Sequence, residues 1–226
     1  MEFGGFQKLT VLDYPEHVAC IIFTKGCNFR CPFCHNAGLV EKYNEETHTE
    51  EEILSYLKKR QGILDGVCIS GGEPLMHADL EGFLSKVKEL GFDVKLDTNG
   101  SYPERLKVFV EKGLIDYVAM DIKNDFGKYS ETAGVNVPIN NIEESINFLM
   151  SGIVDYEFRT TVVNELHTPS DIEKIAERIS GAKRYFIQNF VDSGNVLGEG
   201  LSPVKEETIS EMVRLAKKHV DEVHNR

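Results

Sequence analysis

The sequence predicts an α/β fold in which a parallel sheet is flanked by helices. Three observations carry that expectation. Apolar runs of strand length alternate six times with amphipathic stretches of helix length. Each helical stretch is long enough for a crossover, so consecutive strands run parallel. Polar residues and glycines gather at the C-terminal end of each apolar run, where α/β sheets place their sites. Right-handed crossovers without a long interruption curl such a sheet toward a barrel, and six βα units make an incomplete one. A doubly wound open sheet satisfies the same alternation.

The first expected strand, "HVACIIFT" (17–24), is rich in β-branched residues and leads into a cysteine-bearing loop. A helix over 47–60 opens on Thr and Glu and closes on Lys and Arg, as the helix dipole favours. "LDGVCIS" (64–70) reads as a buried strand broken by "GGEP" (71–74), and a helix over 77–91 stops at Gly91. The unit then recurs, with strands over 92–98, 115–123, 154–163 and 183–190. Helices are expected over 103–113, 140–152, 170–181 and 206–223, the first with Pro103 near its start. Residues 124–138 are long for a βα connection and suit a lid, a docking loop or a plain surface insertion. No linker composition divides the chain, so it reads as a single domain over 1–226, with a core of about 16–190 and a C-terminal helix over 206–223.

With 226 residues, 41% of them hydrophobic, the chain can bury a substantial core. A formal charge of −12 excludes the basic footprint of a non-specific nucleic-acid binder, and the acidity reads as solvated helix faces. No apolar run approaches the roughly 18 residues of a membrane span, and the N-terminus lacks the pattern of a signal peptide. A cytoplasmic protein with reduced thiols is the expectation. Five cysteines, three of them inside "KGCNFRCPFCHN" (25–36), suit metal or redox chemistry better than a disulfide framework.

Soft thiolates select zinc, Cu(I) or iron–sulfur clusters. Cys27, Cys31 and Cys34 fall one short of a closed zinc site. Cys20 and Cys68 lie in apolar strands, where a small buried thiol is the expected role, and His35 adjoins Cys34 too closely to share its metal well. Three thiolates on a four-iron cubane leave one iron open to a substrate. The other polar strand ends are Gly71-Gly72-Glu73, Asp97-Thr98-Asn99, Asp121 with Lys123, Asn164 with His167, and Gln188-Asn189. All are expected at one mouth.

Cys27-x-x-x-Cys31-x-Phe33-Cys34 after a first strand resembles the signature of the radical S-adenosylmethionine (radical SAM) enzymes, and "SGGEP" resembles their second signature. "GFQKLTVLDYPEHVACIIFTKGCNFRCPFCHN", "ISGGEPL", "LDTNG" and "MDIK" further resemble the activating enzymes of glycyl-radical proteins, from residue 5 to about 190. Within that family the resemblance is first to the anaerobic ribonucleoside-triphosphate reductase branch, with the pyruvate formate-lyase branch a near second.

The resemblance implies a partial (β/α)6 TIM-like barrel, the radical SAM core. It also implies a [4Fe–4S] cluster on Cys27, Cys31 and Cys34, and reductive cleavage of S-adenosylmethionine to a radical that takes hydrogen from a partner's glycine. Glu73 would accept from the methionine ammonium, and Gly71 and Gly72 would let the backbone approach the ligand. Phe33 would pack between cluster and adenine, or serve as a core anchor. Asp97, Thr98 and Asn99 would make ribose-side and cation-side contacts. Lys123 would meet the methionine carboxylate, with Asp121 holding a monovalent cation or Lys123 itself. His167 and Gln188, with Asn189, would line the radical's path or close on adenine. Lys25 and Arg30 would bias the cluster or meet an electron donor, or are solvated loop charges. Arg159 points to a face that the sequence does not choose.

The implied partners are a glycyl-radical enzyme, anaerobic ribonucleotide reductase first, and an external donor such as flavodoxin or ferredoxin. No nucleic-acid or membrane partner is implied. A pyruvate formate-lyase-type partner, a small-molecule radical enzyme, and a non-catalytic zinc or iron–sulfur module are the competing readings.

Overall fold

The computed structural model describes residues 1–40, 47–192, 194 and 196–226. The chain forms two compact units, Met1–Asn28 with Gly38–Thr98 and Glu104–Val118, and Phe29–Ala37 with Asn99–Pro103 and Ala119–Arg226.

The first unit contains β1 (Glu2–Thr10), β2 (Ala19–Thr24), β3 (His48–Thr49), β4 (Gly66–Gly71) and β5 (Asp93–Thr98), in hydrogen-bonded order β3-β1-β2-β4-β5. β2, β4 and β5 pair in parallel, with Thr24 opposite Gly71 at the C-terminal ends. β2 is buried along almost its whole length, as a strand covered on both faces must be. The helix α1 (Ala37–Val40) follows the cysteine loop. α2 (Glu50–Lys58) starts on Thr49, whose hydroxyl accepts from the Glu52 amide. α3 (Leu80–Glu89) buries Leu80, Phe83, Leu84 and Val87, one helical stripe. Phe83 meets Phe3 of β1 with ring centroids 4.8 Å apart.

The second unit carries the end of β6 (Tyr117–Asp121), then β7 (Asp155–Val162), β8 (Arg184–Asn189) and β9 (Glu222–Asn225) in that order. β7, β8 and β9 pair in parallel. After α4 (Pro103–Glu111) come α5 (Tyr129–Ala133), α6 (Ile139–Met150), α7 (Pro169–Arg178) and α8 (Glu206–Ala216). α7 begins with a capping box in which Thr168 and Asp171 satisfy each other's backbone amides, with Pro169 in its first turn.

The six expected strands all form, each within a few residues of its expected bounds. The last helix is shorter than expected. It ends at Ala216, and residues 222–225 form β9 instead of its final turn. The apolar positions Val220 and Val223 continue a helical spacing, but the backbone there bonds to the second unit: Asp221 N–H donates to Ala182 O and Glu222 N–H to Lys183 O. Strand pairing outcompetes helix continuation. The helix expected from 47 likewise starts only at Glu50, because His48 and Thr49 pair with β1. Among the described residues, no helix is long and apolar enough to cross a membrane.

Candidate active site

In the first unit, β2 runs into Lys25, Gly26 and Cys27. Gly26 adopts φ +83° and donates its amide to Leu39 O at 2.7 Å, turning the chain out of the strand. The Gly71-Gly72-Glu73 turn leaves β4 alongside it. Gly71 has φ +104°, and a Cβ there would come within 2.5 Å of the Thr24 amide nitrogen. A Cβ on Gly72 would overlap the carbonyl oxygen of Gly26. Gly72 N–H donates to Thr24 O at 3.0 Å and Glu73 N–H to Gly26 O at 2.9 Å. The close approach expected of these glycines toward a ligand is thus made to the chain's own backbone.

Glu73 is fully buried, and its Oε1 accepts from the Leu75 amide at 3.0 Å and the Thr98 hydroxyl at 2.8 Å. The first bond caps the short 3-10 turn Pro74–Met76. Thr98 therefore orients Glu73. Asp97 accepts from the Lys95 ammonium at 2.6 Å and the Ser70 hydroxyl at 2.9 Å, and Lys95 itself is 2% exposed.

In the second unit, Cys31 is buried and Cys34 half-buried, with the Cys34 amide donating to Cys31 O at 3.1 Å. Burial pushes the Cys31 thiol up to about 11, while the nearby Lys123 ammonium favours the thiolate. Lys123 Nζ lies 3.0 Å from Asp121 Oδ2, and Arg159 Nε lies 2.8 Å from Asp121 Oδ1. Burial alone would raise the Asp121 carboxyl, but Arg159 and Lys123 outweigh it and hold the group well below the usual carboxylate range. Arg159 is thereby placed on the Asp121 face. Both carboxylate oxygens of Asp121 thus face cationic groups.

Phe33 is buried and meets the His167 ring edge-on, centroids 6.2 Å apart. His167 Nδ1 accepts from the Val163 amide at 3.1 Å, so its proton sits on Nε2, which donates to Lys123 O at 2.8 Å. Burial lowers its pKa and keeps it neutral. Only the ring face of His167 is left for a ligand. Gln188 is half-buried on β8 opposite Thr161. Asn189 is committed to a two-way bond with the Val204 backbone at 2.9 Å each way. Asn99 accepts from the Ser101 amide at 3.0 Å, closing a local turn.

The cysteine loop is clamped by the long connection 124–138. Arg30 N–H donates to Ala133 O at 2.8 Å, and Gly134, at φ +68°, packs where a Cβ would overlap Arg30 O. Tyr129 meets Phe29 edge-on at 6.5 Å. Gly198 N–H donates to Pro32 O at 2.7 Å, and His35 stacks on Phe190 at 5.5 Å. Residues 124–138 brace this loop, a role the sequence reading did not contain. It also missed Lys95, Ser70 and Tyr129. Of these, Lys95 alone carried a signal, as a cation between Val94 and Leu96 in an expected strand.

The five cysteines are free thiols. Cys20 and Cys68 are fully buried in β2 and β4, and burial pushes the Cys20 thiol up to about 12. Among the described residues, no three His, Cys, Asp or Glu side chains converge as a single-ion cage. A cubane takes each thiolate on a separate iron, and the soft donor set of the braced loop fits such a cluster.

The chain matches the Radical SAM superfamily over residues 21–179 and belongs to it. That superfamily works with a [4Fe–4S] cluster and S-adenosylmethionine. Within it, the chain belongs to the glycyl-radical enzyme activating family. It is 35% identical to a Methanocaldococcus jannaschii protein named "Putative glycyl-radical enzyme activating enzyme", over 97% of this chain and 93% of that one. A pyruvate formate-lyase-activating enzyme of Staphylococcus aureus is 33% identical over 52% of this chain and 51% of its own. Among solved structures, a radical SAM methyltransferase of Sphaerobacter thermophilus matches with a TM-score of 0.71 at 12% identity, over 94% of this chain and 67% of that one. The last likeness shows the fold, the partial-barrel radical SAM core. The doubly wound alternative falls away.

Proposed function

We infer that this chain is a cytoplasmic activase that places a radical on a glycine of an anaerobic ribonucleoside-triphosphate reductase, taking its electron from a flavodoxin- or ferredoxin-type donor. The observation that carries the reading is the Glu73 carboxylate. It is buried and aimed by Thr98, on a turn locked to the strand that leads to Cys27. The choice of reductase rests on the resemblance in the N-terminal forty residues.

Bound here, a [4Fe–4S] cluster with S-adenosylmethionine supplies the one-electron chemistry that ends in hydrogen abstraction from a glycine α-carbon. Cys27, Cys31 and Cys34 hold the cluster as thiolates. Lys123, beside Cys31, favours the deprotonated sulfur and offers a cation to the methionine carboxylate. Glu73 accepts from the methionine ammonium, fixing the reacting group by proximity. Asp97 and Thr98 support that arrangement, Asp97 through Lys95 and Ser70, and Thr98 through Glu73. Phe33 and the face of His167 supply apolar surface against adenine, and Gln188 an amide. A glycine is the fitting target, because it has no side chain to bar access to its α-hydrogen.

Anaerobic reconstitution of Cys27→Ala, Cys31→Ala, Cys34→Ala and Cys68→Ala tests the ligand set. The first three should lose the four-iron spectrum and S-adenosylmethionine cleavage together, and Cys68→Ala should keep both. A full spectrum in any of the first three, or loss of iron in Cys68→Ala, contradicts it. A zinc-loaded, colourless parent protein would favour the binding-module reading instead.

A further inference from the structure

We propose that the outer edge of β9 is a docking strand for the extended partner segment that bears the target glycine, and that Arg226 takes an acidic side chain of that segment. This rests on the reading of the chain as an activase whose substrate is a polypeptide.

β9 ends the sheet order and pairs with β8 alone. Alternate residues make the bonds to β8. Glu222 N–H donates to Lys183 O at 2.9 Å, Arg226 N–H to Ile187 O at 3.0 Å, and Asn189 N–H to Arg226 O at 3.0 Å. Parallel pairing of this kind turns the N–H and C=O groups of Val223 and Asn225 to the other side of the strand. Among the described residues, no backbone group bonds to them there. An outward row of alternating main-chain donors and acceptors is complementary to an extended polypeptide. A segment laid along β9 reaches the C-terminal end of β8, because Arg226 lies level with Asn189, the neighbour of Gln188.

β9 has four residues, too few for main-chain bonds alone to hold a partner strand. Arg226, directly after it, supplies a second grip. Its guanidinium lies over the Phe186 ring, 3.7 Å from the centroid, and His224 stacks on Phe186 at 5.5 Å. Arg226 Nη1 is 3.8 Å from Glu157 Oε1, beyond hydrogen-bond distance, and the side chain is 43% exposed. A guanidinium laid flat on an aromatic face, with its donors turned to no close acceptor, suits a carboxylate that it can meet with two parallel bonds. Edge and cation together fit an extended, acidic segment.

Amide hydrogen exchange reads the contact directly. A synthetic peptide spanning the radical glycine of an anaerobic ribonucleoside-triphosphate reductase is added to the reconstituted protein under anaerobiosis. Exchange at Val223 and Asn225 should slow about tenfold at saturation, and unchanged exchange there overturns the proposal. Asn225→Pro removes one outward N–H and keeps the bonds to β8, as proline on an edge strand can. Its iron content and Tm should match the parent, while peptide affinity falls about threefold to tenfold, the loss of one hydrogen bond. Arg226→Gln should weaken binding to a similar degree and flatten its salt dependence. Parental affinity in either variant overturns the proposal. Should Asn225→Pro fail to fold, exchange in the parent protein still decides. A glycyl radical formed on the reductase with β9 amides unslowed defeats the docking strand and leaves the activase reading standing. No glycyl radical on either reductase or lyase defeats that reading, and the docking strand with it.

Discussion

The carbonyl oxygen of Gly26 occupies the space that a side chain on Gly72 would need. Gly72 N–H to Thr24 O and Glu73 N–H to Gly26 O close the same contact, so the two signature segments are joined through backbone atoms in the first unit. The turn that presents Glu73 and the strand that presents Cys27 therefore move as one piece.

Gly72→Ala should break that piece. Inserting a methyl into a site already filled by backbone forces a shift, and overpacking of this kind costs about 1–3 kcal/mol or more. A fall of several degrees in Tm and poor cluster retention are expected. Gly82→Ala is the control, since Gly82 lies on α3 with open space around its Cβ. Equal Tm values for Gly72→Ala and the parent would show that the contact is not binding on the fold.

Glu73→Gln should spare the turn and weaken the cofactor. Gln keeps an oxygen for the Leu75 amide and the Thr98 hydroxyl, so folding and iron content should hold. What it loses is charge against an ammonium, about 1.5–3 kcal/mol for a charge-assisted bond. S-adenosylmethionine affinity, measured anaerobically by calorimetry, should drop about tenfold to a hundredfold. Undiminished affinity would remove Glu73 from the cofactor site.

The α7 capping box sets a pH dependence. Burial pushes the Asp171 carboxyl upward, but the bonds from Lys128 and Thr168 outweigh it and leave the pKa lowered. A depressed carboxylate stabilises the fold fully above its unfolded value of about 3.9 and loses that contribution as pH falls through the folded value. Asp171→Asn should thus lower Tm at pH 7, with the gap to the parent closing below about pH 4. Thr168→Ala should cost about 1 kcal/mol, as N-cap losses do. A Tm gap for Asp171→Asn that widens in acid would contradict the assignment.

Much of this was legible in the sequence. Strand bodies such as Ala19–Thr24 announce themselves as apolar runs rich in β-branched residues, and the cysteine spacing and SGGEP were readable directly. β1 was not, because "EFGGFQKLT" mixes glycines with polar residues and is a strand by virtue of its antiparallel pairing with β2. β9 has the same origin: "EVHN" has little β-propensity and exists through β8. In the site, residue types were readable but partners were not. Arg159 faces Asp121 because of strand register, and His167 spends both ring nitrogens on backbone groups that no local pattern reveals. The bracing role of 124–138 lies in Ala133 and Gly134 meeting Arg30, which is far from them in sequence.

The most direct test of the activase reading is a radical transfer measured under strict anaerobiosis. The reconstituted protein, a reductant and S-adenosylmethionine are mixed with an anaerobic ribonucleoside-triphosphate reductase, and separately with a pyruvate formate-lyase, and frozen for electron paramagnetic resonance. The account predicts the doublet of a glycyl radical on the reductase, dependent on S-adenosylmethionine and abolished when the reductase's radical glycine is replaced by Ala. A doublet on the lyase alone would contradict the choice of partner. Rapid S-adenosylmethionine cleavage with no glycyl radical on either protein would contradict the proposed reductase and the lyase alternative alike.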